Sequence, residues 1–166
     1  MMMNVQTDKT FGTPIKGADY YHRIGAYLVV IHDNMLATIK IAKGHLLPGG
    51  GVEGNESHEE CILREALEEI GYDVRVDELI ASADAWDTHP KAPYFHPIQY
   101  YYSGELLDPL FEDGGTDGTR LEWIPISKID ELLFVPMQRF AVRQYLGRET
   151  SAAALAFIDG KHHYYG

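Results

Sequence analysis

The chain has 166 residues, 45% of them hydrophobic, and a formal net charge of −11 at pH 7 from 14 basic and 25 acidic residues. This length fits one globular domain with a single core, and the excess of acid argues against binding a nucleic acid polymer, which requires clustered cations. The single cysteine, Cys61, excludes an internal disulfide and a cysteine-based metal cluster, and we expect it to be a packing residue.

No segment of the sequence predicts secretion or membrane insertion. The first ten residues lack the basic start and the apolar run of a signal peptide, and the longest apolar run, residues 24–31, is too short to span a bilayer. We therefore expect a cytoplasmic protein with no membrane partner.

The first third of the chain predicts strands and a glycine loop. Residues 24–31 and 35–42 are rich in apolar and β-branched residues and flank the turn pair Asp33-Asn34, which predicts a β-hairpin. Residues 45–48 predict a short strand, and the three glycines at 49–51 predict a loop.

A helix is predicted between Ser57 and Gly71. Ser57 with Glu60 three residues later has the pattern of a capping box, and Gly71 is a favourable residue just past a helix end. At 100° per residue, four apolar side chains share a narrow stripe that is typical of a helix packed on a sheet. The members of this stripe are Leu63, Ala66, Leu67 and Ile70.

The second half of the chain predicts three strands and two helices. Residues 74–87 and 96–107 carry β-branched and aromatic residues and predict long strands on either side of a loop at 88–95. A further strand is predicted at 121–125. The two helices are predicted at residues 127–133 and 136–146.

Together these elements predict one α/β (α+β) domain over residues 1–166, with its core at about 20–147 and helices on the faces of a mixed β-sheet. No internal repeat or linker interrupts the pattern. The tail, residues 148–166, is too mixed in composition to assign.

Three acidic residues share one side of the predicted helix. Glu65, Glu68 and Glu69 are spaced i, i+3 and i, i+4, so they repel by about 0.2–0.5 kcal/mol per pair. Glu68 and Glu69 also lie in the last turn, where the helix dipole adds a cost of about 0.3–1 kcal/mol each. A local conflict of this kind marks a candidate functional site.

A hard divalent cation such as Mg²⁺ resolves this conflict, because it binds carboxylate oxygens together with substrate phosphates. It also makes a small anionic substrate compatible with an acidic chain, since the cation supplies positive charge locally. The alternative interpretation of the glutamates taken alone is an ordinary solvated acidic helix face.

The spacing of residues 50 to 72 resembles the signature of the Nudix hydrolases. That signature is a Gly, five residues, a Glu, seven residues, then Arg-Glu, an apolar residue, any residue, Glu-Glu, any residue, Gly and an apolar residue. Every polar and glycine position matches, and only the small Ala66 and the aromatic Tyr72 are loose matches. The residues that match are Gly50, Glu56, Arg64, Glu65, Ala66, Glu68, Glu69, Gly71 and Tyr72.

The resemblance implies a Nudix-like α/β/α sandwich that hydrolyses the diphosphate linkage of a nucleoside diphosphate derivative with Mg²⁺ or Mn²⁺. It implies that Glu65, Glu68 and Glu69 are catalytic metal ligands, joined in some members by the carbonyl of Gly49. The remaining positions of the signature support the loop and the helix, and they are Gly50, Glu56 and Arg64.

A second resemblance is to MutT-like triphosphatases, in which a glutamate lies five residues before a Glu-Trp pair. In this chain Asp117 lies five residues before Glu122-Trp123, which makes Asp117 a candidate ligand or general base. Glu112 is the alternative to Asp117, and the identity of the base stays open between Glu65 and Asp117.

The implied substrate is a small nucleotide, whose exact class the sequence leaves open: a nucleoside triphosphate, a nucleotide sugar, ADP-ribose or a dinucleoside polyphosphate. Trp86, Tyr94 and Phe95 are candidates for stacking on its base or ring. The alternative is that these aromatic residues belong to the core or to an interface, and a homodimer is a common arrangement in the family.

A second functional hypothesis is a regulator that binds a nucleotide metabolite on the same fold without cleaving it, since fold does not determine function. The intact set of signature glutamates favours the enzyme over this binding module.

We predict that Glu68→Gln lowers turnover by about 10²–10³-fold, comparable to the removal of one preorganised electrostatic group. Steady-state kinetics of the variant on a cleaved substrate measures this effect. Turnover at the wild-type rate would exclude Glu68 from the metal site.

Overall fold

The computed structural model describes residues 5–89 and 92–160, with side chains described for residues 5–87 and 94–148. These residues form a six-stranded and a four-stranded sheet with helices packed against them. The strands are β1 (Lys9–Phe11), β2 (Tyr21–Val29), β3 (Ile31–His32), β4 (Met35–Ile41), β5 (Gly44–Leu46), β6 (Gly49–Gly51), β7 (Tyr72–Ala85), β8 (Asp87–His89), β9 (Ala92–Pro109) and β10 (Leu121–Pro125). The helices are α1 (His58–Glu69), α2 (Ile129–Leu132) and α3 (Pro136–Gly160), and a 3₁₀ turn spans Ile126–Lys128.

The mixed α+β architecture confirms the predicted fold class, although two sheets replace the single predicted one. The larger sheet has the order β1-β7-β9-β2-β6, with β8 paired to β9, and the smaller has the order β10-β4-β3, with β5 paired to β4. In the larger sheet β2 runs parallel to β9 and antiparallel to β6. None of the helices in the described residues is both long and apolar enough to cross a membrane.

The predicted hairpin is present, but its first strand is divided between the two sheets. The chain leaves the larger sheet after Val29 and enters the smaller one as β3, which pairs with β4. Asp33 and Asn34 have φ values of 50° and 61°, which is the left-handed pair that a two-residue turn between antiparallel strands requires. The turn was therefore predictable from its residue types, whereas the change of sheet was not.

Alternation along β2 places its residues in two hydrophobic clusters on opposite faces of the sheet. Ala26, Leu28 and Val30 pack with α1, while Tyr27 and Val29 pack with residues of α3. Strand β2, next to the edge strand β6, thus contributes to the clusters that hold both α1 and α3.

The glycines predicted as a loop instead form the edge strand β6, paired with residues 25–27 of β2. A Cβ atom at Gly50 would lie 2.8 Å from Cδ of Glu65, and one at Gly51 would lie 2.5 Å from Nε of Arg23. One at Gly49 would lie 2.3 Å from the carbonyl oxygen of Ala26. The strand is made of glycine because neighbouring groups approach it from both faces.

Several boundaries also differ from the predictions. The predicted loop at 88–95 is largely occupied by β8 and the start of β9, with residues 90 and 91 outside the described residues. The helix predicted at 127–133 is a 3₁₀ turn followed by the single turn of α2. Strand β1 was not predicted, and α3 begins at Pro136 as expected but continues through 148–160, while 161–166 lie outside the described residues.

Helix α1 begins as predicted but is rotated about its axis. Both hydrogen bonds of the capping box between Ser57 and Glu60 are present, and Gly71 has a φ of 71°. The predicted apolar stripe is wrong in two positions, because Leu63 is 37% exposed and Leu67 is only half-buried. The buried side chains are instead Cys61, Ile62, Ala66 and Ile70, and this rotation brings the glutamates towards β6.

We predict that Ile62→Ala lowers the free energy of unfolding by about 2–5 kcal/mol, because Ile62 is 1% exposed and its truncation leaves a cavity. The matched variant Leu63→Ala should change it by less than about 1 kcal/mol. Urea denaturation of both variants measures the difference, and equal losses would contradict the observed rotation of α1.

Candidate active site

Arg64 is the centre of an ion-pair network that ties α1 to the preceding loop. Its Nε and Nη2 donate to the two carboxylate oxygens of Glu56 over 2.7 and 2.8 Å, and Nη2 also donates to the carbonyl of Gly51 over 3.0 Å. These hydrogen bonds lower the pKa of Glu56 to about 2. Nη1 donates to Glu65 over 2.7 Å and to Glu68 over 3.3 Å. One cation therefore serves several carboxylates.

Glu69 receives no basic partner within the part of the chain that the structure describes. One of its carboxylate oxygens accepts the N–H of Gly49 over 2.8 Å. Burial raises the pKa of Glu69 to about 8, and the charges of Glu65, Asp117 and Glu68 act in the same direction against the hydrogen bond from Gly49. Burial also raises the pKa of Glu65, and the guanidinium of Arg64 opposes that shift.

A loop at residues 113–119 covers the C-terminal end of α1. The N–H of Asp117 donates to the carbonyl of Glu68 over 2.8 Å, and Oγ1 of Thr119 donates to the carbonyl of Glu69 over 2.7 Å. These donors satisfy carbonyls that a helix end leaves without intrahelical partners. The same contacts bring the Asp117 carboxylate close enough to raise the pKa values of Glu65 and Glu69.

The site opens into a cavity of about 440 Å³. Glu65 and Glu69 line it on the side of α1, and Arg23 is the basic side chain among the described residues that line it. Its polar lining is completed by Tyr27, Gln99 and Gln138, which come from β2, β9 and α3. Gly49 and Gly50 complete the wall at β6.

We call the cavity lined by Glu65 and Glu69 the acidic cavity. A second cavity, of about 450 Å³ and partly aromatic, adjoins it, since Gln99, Phe134 and Val135 line both. Two of the three aromatic candidates, Trp86 and Phe95, line this second cavity. The third candidate, Tyr94, packs edge to face against Tyr20 with ring centroids 5.5 Å apart and is not among the described residues of the lining.

Glu112, the alternative to Asp117, lies elsewhere. It lines a third cavity, of about 600 Å³, together with Arg120 and Trp123. The structure therefore places Asp117, and not Glu112, in electrostatic contact with Glu65 and Glu69.

The donor set fits a divalent cation in charge and chemistry. Glu65 and Glu69 offer hard carboxylate oxygens to one cavity, and burial, reinforced by the neighbouring carboxylates, raises the pKa of Glu69. One oxygen each of Glu65 and Glu68 is engaged by Arg64. Across residues 5–89 and 92–160, no three histidine, cysteine or acidic side chains are arranged to hold a metal ion, so binding one requires these side chains to rearrange.

Comparison with known proteins identifies the family. The family model of the NUDIX domain matches residues 22–145, which include α1, the glycine strand β6 and the loop at 113–119 that covers the end of α1. The chain belongs to the Nudix hydrolase family. The signature spacing from Gly50 to Tyr72 had indicated this family, and the match extends it to most of the chain.

Two relatives of the chain have different Nudix activities. It is 27% identical over 124 residues to the putative 8-oxo-dGTP diphosphatase of Bacillus subtilis (strain 168), covering 73% of this chain and 78% of that protein. It is 29% identical over 156 residues to the NAD-capped RNA hydrolase NudC of Pseudomonas aeruginosa (strain LESB58), covering 88% of this chain. The match spans only 52% of that relative's length.

A solved structure supports the fold. A NUDIX hydrolase from Nitrosomonas europaea superposes with a TM-score of 0.61 at 18% identity, covering 77% of this chain and 90% of that one. At this identity the likeness shows a shared Nudix fold and leaves the substrate unspecified.

Sequence reasoning missed four polar residues that line the acidic cavity. Arg23 and Tyr27 lie on the same face of β2, because they are four residues apart on a strand. That spacing was a usable signal, although only the structure shows which face meets the glutamates. Gln99 and Gln138 lie far from the signature in sequence, and no local pattern marks them.

We predict that replacing Glu69 by glutamine alters how stability depends on pH. The pKa of Glu69 is raised from its ordinary 4.5 to about 8, so the folded chain holds a proton that the unfolded chain releases. The free energy of unfolding of the metal-free wild type should therefore fall as pH rises through this range, by at most about 1.4 kcal/mol per pH unit from this group. Glu69→Gln keeps an acceptor for the N–H of Gly49 and removes this contribution.

Urea denaturation with a chelator at pH 5, 6.5 and 8.5 measures the effect. The stability of Glu69→Gln relative to wild type should increase with pH and level off above about pH 8. Parallel pH profiles for the two proteins would show that Glu69 carries no buried, unneutralised charge.

Proposed function

We propose that this Nudix hydrolase cleaves the diphosphate linkage of a small nucleoside diphosphate derivative and depends on Mg²⁺ or Mn²⁺. The observation that carries the proposal is the cavity lined by Glu65 and Glu69, because Arg64 pairs with Glu65 and Glu68 while Glu69 has no basic partner among the described residues. A polyanionic substrate enters such a site only with a cation.

In this proposal Glu65, Glu68 and Glu69 hold the cation, with the carbonyl of Gly49 as a further ligand. The chemistry that a divalent cation supplies when bound is neutralisation of phosphate charge and a lower pKa for an attacking water. Arg64 and Glu56 keep the loop and α1 in a fixed relation while these side chains exchange partners.

A general base must accept the proton of the attacking water. Of the two candidates, Glu65 lines the acidic cavity, whereas Asp117 is exposed and is not among the described residues of that lining. In the metal-free site burial raises the pKa of Glu65, and the guanidinium of Arg64 opposes that shift. We assign the base to Glu65 and give Asp117 an electrostatic role.

The adjoining aromatic cavity supports a substrate with a planar base or ring. Trp86 and Phe95 line it, and the indole of Trp86 is already fixed by stacking on His96 at a centroid distance of 3.6 Å. Aromatic rings held in this way bind planar groups at little entropic cost.

A single domain over residues 1–166, a cytoplasmic location, a homodimer and the exclusion of nucleic acid polymers remain predictions.

Phosphate release tests the proposal. The panel comprises nucleoside triphosphates including 8-oxo-dGTP, nucleotide sugars, ADP-ribose, dinucleoside polyphosphates and a short NAD-capped RNA, each with Mg²⁺, Mn²⁺ or a chelator and with coupling enzymes that liberate phosphate. We expect metal-dependent cleavage of at least one small nucleotide, strongly reduced in Glu68→Gln.

The outcomes separate the two functional hypotheses. Cleavage of the RNA alone would overturn the prediction that nucleic acid polymers are excluded. Absence of turnover across the panel, with a panel nucleotide still bound, would favour the binding module over the hydrolase.

A further inference from the structure

Arg23 is the third residue of β2 and lines the acidic cavity together with Glu65 and Glu69 of α1. It is close enough to Tyr27 to lower the pKa of that hydroxyl, against the larger effect of burial. A cation facing a cluster of carboxylates usually pairs with one of them. Within the described residues, however, Arg23 forms no ion pair with Glu65 or Glu69.

Arg64 differs from Arg23 because its guanidinium has several partners within the protein. Arg64 is within 4.0 Å of four carboxylates and donates to Gly51 as well, so its hydrogen-bonding capacity is committed to the protein. Arg23 is exposed and has no hydrogen-bond acceptor among the described residues, so its five donors are available. A guanidinium with free donors beside a phosphate-hydrolysing site has the geometry for two-pronged binding of an oxyanion.

The guanidinium of Arg23 lies directly over Gly51, where the absence of a side chain leaves space for it. A Cβ atom at Gly51 would lie 2.5 Å from both Nε and Nη2 of Arg23 and 2.7 Å from Cζ, and these are its three nearest atoms. The guanidinium therefore occupies the volume that any other side chain at position 51 would fill. Since the φ of Gly51 is not positive, the backbone there accepts alanine, and the three atoms nearest to the added Cβ all belong to Arg23.

We propose that Arg23, held over Gly51, binds a phosphate group of the substrate diphosphate, while the glutamates of α1 hold the cation that binds the other. This inference rests on the proposed function and adds the residue that recognises the anion. Arg23 thereby supplies direct positive charge to the polyanion on the side of the cavity where the described lining has no other cation.

Binding of imidodiphosphate, a diphosphate analogue that is not cleaved at the bridging nitrogen, tests the proposal in the presence of Mg²⁺. Isothermal titration calorimetry on the full chain compares the wild type with Arg23→Ala, Gly51→Ala and the double variant. We expect Arg23→Ala and Gly51→Ala each to weaken binding by about 10–100-fold, the range for a lost charge-assisted hydrogen bond. The double variant should bind no more weakly than Arg23→Ala, because alanine at 51 acts only by displacing Arg23.

Two controls isolate the effect. Arg75→Ala removes the same charge at an exposed position where Arg75 pairs with Asp77, and it should bind imidodiphosphate like the wild type. Mn²⁺ affinity, measured by electron paramagnetic resonance, should be unchanged in all variants, since Arg23 acts on the anion. Arg23→Lys should retain part of the affinity because it keeps the charge without the planar fork.

Three results would overturn the proposal: no binding of imidodiphosphate by the wild type, an affinity of Arg23→Ala within about threefold of wild type, or additive losses in the double variant. The assay does not depend on turnover. If no nucleotide in the substrate panel is cleaved while Arg23-dependent binding persists, the hydrolase proposal fails and the assignment of Arg23 stands.

Discussion

The crowding of carboxyl groups at the C-terminal half of α1 is the constraint on which the rest of the site depends. Arg64 pairs with Glu56, Glu65 and Glu68, whereas within the described residues the Glu69 carboxyl group accepts one backbone hydrogen bond, from Gly49. The loop at 113–119 satisfies the helix-end carbonyls, but it also brings another carboxylate, Asp117. The fold therefore stabilises the backbone of this region and leaves Glu69 with a raised pKa, so that a bound cation would displace its proton.

The glycine strand β6 makes this arrangement possible because its three residues have no side chains and leave space for those of neighbouring residues. Glu65 occupies the space over Gly50 on one face of β6, and Arg23 occupies the space over Gly51 on the other. Within the described residues, Glu65 and Arg23 are thus brought to one strand without forming an ion pair with each other. The acidic cavity and the aromatic cavity next to it share a wall at Gln99, Phe134 and Val135, so one elongated substrate can contact both.

Local chemistry made part of this structure predictable from the sequence. The capping box at Ser57, the left-handed Asp33-Asn34 turn and the signature that names the family each depend on residues within a short segment. The rotation of α1 was not predictable, because Leu63 is as apolar as the residues that are buried and only the position of β6 decides which face packs. The glycine strand was missed because glycine disfavours strands, and Arg23 was missed because it lies far from the signature in sequence.

The central claim is that the α1 glutamates are arranged to bind a divalent cation, and proton release on Mg²⁺ binding tests it most directly. Isothermal titration calorimetry at pH 7 in buffers of different ionisation enthalpy counts the protons released. Because the pKa of metal-free Glu69 is about 8, saturable binding should release about one proton per cation at pH 7 and little above pH 9. Absence of saturable binding, or binding without proton release at pH 7, would contradict this account of the site.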